Sequence, residues 1–101
     1  MSIKKQFLKS KPVCKVSFKV SKEEAAGAGQ VAVLGDFNSW NPEEGAMNAL
    51  KDGSFSITLE LEAGKSYRFR YLADGSRWFD EAEADGIEAG EFGAANNLLN
   101  L

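Results

Sequence analysis

Two tryptophans hold most of the chemical interest of this sequence. Trp40 lies in Asn38-Ser39-Trp40-Asn41 and Trp78 in Ser76-Arg77-Trp78, each beside a turn and among polar side chains. A flat ring fixed on a rigid support can stack on the apolar face of a pyranose. Nearby amides and guanidinium groups then meet the hydroxyls with directional hydrogen bonds. The other reading, packing of each indole in a core or hinge, stays open at this point because tryptophan is usually mostly buried. The aromatic residues Phe18, Phe55, Tyr67, Phe69 and Tyr71 lie on apolar strand faces, which assigns them to packing.

Other chemistries are excluded by what the chain lacks. There is no histidine, which removes Ser-His-Asp and Cys-His pairs, imidazole metal ligation and the usual general base near neutral pH. Cys14 is the single cysteine, so neither an intramolecular disulfide nor a multi-thiolate zinc site can form. It falls on the apolar face of an alternating run, which assigns it to the core. Among the fifteen acidic residues no spacing singles out a catalytic pair, and a chain of 101 residues folds as one small core without a barrel's deep cleft. Glu81, Glu83, Asp85 and Gly86 sit at the first, third, fifth and sixth positions of an EF-hand-like spacing. The twelfth is Phe92, not glutamate, and flanking helices are missing. The expectation is therefore a non-catalytic chain with no metal and no cofactor.

Charge is unevenly spread. Residues 1–22 hold seven lysines and no acid, whereas the rest hold five basic and all fifteen acidic residues. Several of the lysines alternate with apolar residues as the wet face of a strand would, so nucleic acid is not the expected partner. Residues 1–12 read as a basic N-terminal arm and 13–101 as the single domain. The start of the chain has no apolar signal-peptide core, and no stretch approaches the roughly 18 apolar residues of a membrane span. This reads as a cytoplasmic chain without a membrane partner.

The elements that must position the tryptophans are short strands. Val13 to Val20 alternates strictly, with Cys14, Val16, Phe18 and Val20 on one face. Ser21 and Glu24 have capping-box spacing, but Gly27 and Gly29 limit any helix to about one turn. Val31 to Leu34, wholly apolar, reads as a central strand. Residues 36–53 are turn-rich and suit a crossing between two sheets. Phe55, Ile57, Leu59 and Leu61 alternate with polar residues, and Ala63-Gly64 then reads as the bend of a hairpin to Tyr67-Phe69-Tyr71. Asp74-Gly75 is a two-residue reversal into Arg77-Trp78-Phe79. Residues 80–95 read as an irregular surface excursion, and Asn96 to Leu101 as a closing strand. Six or seven short strands with no stable helix make an all-β, antiparallel β-sandwich the economical fold.

Taken in order, several runs resemble a known family. They are Val31-Ala32-Val33-Leu34-Gly35-Asp36-Phe37-Asn38-Ser39-Trp40-Asn41, Asp52-Gly53-Ser54-Phe55, Tyr67-Arg68-Phe69-Arg70-Tyr71-Leu72-Ala73-Asp74-Gly75, Trp78, and Phe92-Gly93 with Asn96-Asn97. Together they look like the family-48 carbohydrate-binding module. That family includes the glycogen-binding domain of AMP-activated kinase β subunits and the isoamylase-type N-terminal early-set domains of family-13 starch and glycogen enzymes. The resemblance implies an immunoglobulin-like β-sandwich. It implies Trp40 and Trp78 as stacking residues, Arg70 as the sheet's basic residue, Asn96 as a hydrogen-bonding residue and Phe92 as an apolar prop. The pattern departs from the family in three places: arginine stands where lysine is usual, Trp78 lies one residue later after Asp74-Gly75, and Ala94 replaces a sugar-contacting threonine. By strand parity Arg70 lies opposite Tyr67, Phe69 and Tyr71, on an outer surface where it could meet a ligand or pair with an acid across strands.

The function implied is a non-catalytic module for α-1,4-glucan such as glycogen, starch or maltooligosaccharide, with a glycogen- or starch-active enzyme as a further partner. The rival is a protein-interaction or regulatory domain of the same fold that has lost or weakened sugar binding.

Overall fold

The computed structural model describes residues 2–81, 84–89 and 95–101. Alternating apolar positions build strands β1 (Ser2–Phe7), β2 (Val13–Val20), β3 (Val31–Gly35), β4 (Asn48–Ala49), β5 (Phe55–Glu62), β6 (Ser66–Ala73), β7 (Arg77–Phe79), β8 (Gly86–Ala89) and β9 (Ala95–Asn100). One helical turn, α1 (Lys22–Ala25), carries the expected capping box: Ser21 Oγ accepts from Glu24 N–H, and the Glu24 carboxylate accepts from Ser21 N–H. Two antiparallel sheets result, one in the order β1-β2-β5-β4 and the other β3-β6-β9-β8 with β7 also on β6. The chain folds as the immunoglobulin-like sandwich that the resemblance implied.

The core lies between the sheets. Cys14, Val16, Phe18 and Val20 of β2 are fully buried, facing Phe69, Tyr71 and Leu99 of the other sheet. Phe18 is the hub, with ring centroids 5.4 Å from Phe69, 5.9 Å from Phe37 and 6.5 Å from Tyr71. The contacts with Phe69 and Tyr71 are edge-to-face, a geometry that adds to the burial of each ring.

Four readings of the sequence need correction. Ala63-Gly64 does not close a hairpin: β5 pairs with β2 and β4, whereas β6 pairs with β3, β7 and β9. The bend is an arch between sheets, tied down by Ala63 N–H to Pro12 O and Gly64 N–H to Leu101 O. Two strands that each bury an aromatic or aliphatic face satisfy that need face to face as well as side by side, so alternation does not distinguish an arch from a hairpin.

Strand β3 is the end of its sheet, not its centre. Its outer edge is covered by the following loop, through Val33 N–H to Gly45 O (2.9 Å) and Met47 N–H to Val31 O (2.8 Å), which explains why all five of its residues are buried. Residues 2–7, read as part of a basic arm, form β1 on the edge of β2. Within the expected irregular excursion, Gly86–Ala89 forms a strand on β9, and Glu81 is buried, accepting from Tyr71 O–H at 2.7 Å. The Asp74-Gly75 reversal stands as expected. Both residues have positive φ, at 51° and 72°, and Ser76 N–H closes the turn on Ala73 O.

The two sheets are also joined along their flank. Lys5 Nζ reaches Asp85 Oδ2 at 2.7 Å and Asn100 O at 3.1 Å, while Asn100 N–H donates to the same carboxylate at 2.7 Å. Partial burial pushes the Asp85 carboxyl up, but the Lys5 and Asn100 hydrogen bonds and the lysine charge outweigh it and leave it below the ordinary range. No helix among the described residues is long and apolar enough to cross a membrane.

A Cβ at Gly45 would lie 1.9 Å from Val33 O, so Gly45→Ala should cost roughly 1–3 kcal/mol in urea unfolding. At Gly29 the nearest atom to a new Cβ is Asp74 Oδ1 at 3.7 Å, so Gly29→Ala should stay within about 0.5 kcal/mol. The stability supplied by Asp85 is present above the unfolded aspartate value and is lost as pH falls through the lowered folded one. Asp85→Asn should therefore be less stable than wild type at neutral pH and converge with it on acidification, in melts run across that range.

Candidate functional site

Because Tyr67, Phe69 and Tyr71 point into the core, Arg68, Arg70 and Leu72 must point outward from β6. Both edges of β6 are occupied. Along one, Ala32 is opposite Leu72 and Leu34 opposite Arg70. Along the other, β9 pairs with the first half of β6 and β7 with the second, which sets Trp78 opposite Leu72. Ala32, Leu34 and Leu72 form a small apolar floor on this outer face, and Trp40 packs against it. Trp78 is 43% exposed beside the same floor. A groove of about 350 Å³ begins at Ala32 and Leu72 and runs between Pro42 and the Asp74-Gly75 turn.

Trp40 reaches this face through an unusual backbone. Ser39 and Trp40 have φ of 54° and 57°, a left-handed conformation that costs a bulky residue on the order of 1–3 kcal/mol. Asn38 holds the loop in place. Its Oδ1 accepts from Gly35 N–H (3.0 Å), its Nδ2 donates to Val33 O (2.9 Å), and Trp40 N–H closes on Gly35 O (3.0 Å). The indole itself is tethered, with Nε1–H donating to Asp36 Oδ1 at 3.2 Å. Asp36 Oδ2 accepts in turn from Arg68 N–H at 2.9 Å and Nε–H at 3.3 Å, and Arg68 Nη1 lies 3.6 Å from Glu88 Oε1. Partial burial pushes the Asp36 carboxyl up, but the hydrogen bonds from Arg68 and Trp40 and the Arg68 charge prevail and hold it below the usual range.

Arg70, on β6, stands between β3, whose following loop carries Trp40, and the β7 strand that carries Trp78. Its guanidinium carbon lies 5.1 Å from the centre of the Trp78 ring, and its Nε is 3.5 Å from Asp80 Oδ1, too long for a good hydrogen bond. Of the two sequence alternatives for this outward-facing residue, the structure shows the pairing with an acid. Asn96 shares the outer side of β9, since its neighbour Asn97 is buried and donates to Phe69 O. It is in register with Glu88 of β8, one step beyond the Phe69–Asn97 pair and thus next to Arg70. Phe92 lies outside the described residues.

The structure thus brings Trp40, Arg70, Trp78 and Asn96 onto one face. Sequence reasoning missed Asp36, Arg68 and Leu72. The parity that marks Arg70 marks Arg68 and Leu72 as well, whereas nothing in the spacing of Asp36 and Trp40 signals their hydrogen bond. Chemically, the face offers two indole surfaces over an apolar floor, an arginine and an amide between them, and carboxylates already engaged by arginines. This suits a neutral, hydroxyl-rich ligand with apolar faces. No curated protein matches the chain. A family model described as the glycogen recognition site of AMP-activated protein kinase matches residues 21–101, and the chain belongs to that glycogen-recognition family of carbohydrate-binding modules.

Proposed function

We propose that this protein is a non-catalytic module that binds α-1,4-linked glucan on the outer face of the β3-β6-β9-β8 sheet, through Trp40, Arg70, Trp78 and Asn96. The observation that carries the proposal is the pair of indoles flanking Leu72 and Arg70 on one exposed surface. The Trp40 indole Nε1–H is already committed to Asp36, so the Trp40 side chain offers a ring face for stacking and no donor. One side of Trp78 carries the Arg70 guanidinium, which leaves the other for a sugar ring. Arg70 then presents its terminal N–H groups to hydroxyls from a position set by the ring and by Asp80, and Asn96 adds an amide.

The site is shallow and buries little of a flexible oligosaccharide, so a single site binds short chains weakly. Repeated engagement on a polymer compensates. A cytoplasmic setting and an association with a glycogen- or starch-active enzyme fit this reading. A protein-interaction role is favoured by a separate observation: Phe7 and Ile87, on edge strands β1 and β8, are 55% and 71% exposed.

The direct test is an NMR titration of the labelled protein with maltoheptaose or β-cyclodextrin, following the two indole N–H signals. Saturable shifts at both, with Arg70 and Asn96 moving too, are expected. No shift at millimolar ligand would transfer the role to the protein-interaction reading. Trp40→Ala and Trp78→Ala should each weaken glucan binding by about tenfold or more. Each should cost less stability than the roughly 3–5 kcal/mol of removing a fully buried aromatic residue, which calorimetry would check. Arg70→Lys keeps the charge but loses the planar stack on Trp78, and should weaken the same affinity several-fold.

A further inference from the structure

We propose that Asp36 is the positioning residue of the platform: its carboxylate fixes the Trp40 ring in its stacking orientation by clamping the indole N–H to strand β6 through Arg68. The proposal rests on the glucan-binding reading for its consequence, but not for its geometry.

Asp36 is the first residue after β3, and four contacts leave it toward functional or supporting groups. Its own N–H donates to Arg68 O (2.9 Å), and its Oδ2 receives both Arg68 N–H and Arg68 Nε–H. Its Oδ1 is left for the Trp40 indole at 3.2 Å. The two backbone donors continue the β3–β6 pairing one residue past Gly35–Phe69, and the Arg68 Nε–H adds a side-chain contact, so the carboxylate is held on its Oδ2 side. An indole on a left-handed loop residue has only two side-chain torsions to settle, and one hydrogen bond at its far end fixes both. Ring and floor are therefore preorganised before any ligand arrives, which lowers the ordering cost of binding. The chain of contacts ends at Glu88 on β8, so the tether of Trp40 spans the outer face from β3 to β8.

An asparagine at position 36 has the same shape but only one acceptor atom. It cannot receive the indole on one side and the two Arg68 donors on the other, so one of the two links must break. A glutamate keeps two acceptors at a longer reach. Arg68→Ala removes the side-chain donor but leaves the backbone N–H, and so loosens the carboxylate without touching Trp40.

The experiment uses the full chain as Asp36→Asn, Asp36→Glu and Arg68→Ala, with circular dichroism to establish that each is folded. In ligand-free protein, the Trp40 indole N–H resonance should shift and exchange faster with solvent in Asp36→Asn. The same change should be smaller in Arg68→Ala, while the Trp78 indole stays in place. Maltoheptaose should bind Asp36→Asn about three- to tenfold more weakly, with Asp36→Glu recovering part of both effects. A folded Asp36→Asn whose Trp40 indole signal is unmoved overturns the proposal, as does an unchanged glucan affinity where wild type binds. If wild type binds no glucan, the functional reading fails separately. The indole signal then decides alone: a shift supports the positioning role and its absence overturns it.

Discussion

Strand β6 cannot turn about its own axis, and the outer face of the molecule depends on that constraint. Tyr67, Phe69 and Tyr71 are seated against Phe18, Phe37 and Phe79, so rotating the strand by one position would exchange three buried rings for Arg68, Arg70 and Leu72. The ring contacts therefore hold the arginines and the leucine outward, and through cross-strand register they hold Trp78 beside Leu72 and Leu34 beside Arg70. What faces the solvent here is dictated by what is packed behind it.

On that face the charges are organised in two short chains. One runs from Trp40 through Asp36 and Arg68 to Glu88, the other from Asp80 through Arg70 to Trp78. Each links an indole to a carboxylate by way of an arginine or directly, and each lies largely at the surface, where an isolated ion pair contributes little to stability. Their effect is on geometry. The guanidinium fork matches carboxylate edges and ring faces alike, which an ammonium group does not, so arginine at positions 68 and 70 orients flat groups as well as balancing charge.

Local features of the fold were legible in the sequence, because period-two alternation and turn chemistry are local rules. The alternation of β2 and β5, the Ser21-Glu24 capping box and the left-handed Asp74-Gly75 turn all stand where residue types put them. So does the outward placement of Arg70, whereas a shared face for the two tryptophans was implied only by the family resemblance. Pairing was less legible, because an apolar face does not name its partner. The arch at Ala63-Gly64 and the edge position of β3 are decided by contacts with residues 34 to 49 positions away. Strand β8 has too short and too mixed a pattern to announce itself, and it is held by backbone bonds to β9. The Asp36–Trp40 hydrogen bond was invisible for a related reason: it exists only because a left-handed loop turns the indole back over its own strand.

The arch has a kinetic consequence. With β5 and β6 in different sheets, the pairings formed between near neighbours in sequence are β1–β2, β4–β5, β6–β7 and β8–β9. Every strand that builds the middle of the sandwich must find a distant partner: β2 meets β5 with Val20 opposite Phe55, and β3 meets β6 with Gly35 opposite Phe69. Closing loops of that length comes before any reward from burial, so the chain belongs with the slow-folding, high-contact-order domains, on the order of milliseconds to seconds. The contacts of Phe18 with Phe69 and Tyr71 join the two sheets across these long separations, so they depend on the same slow loop closures.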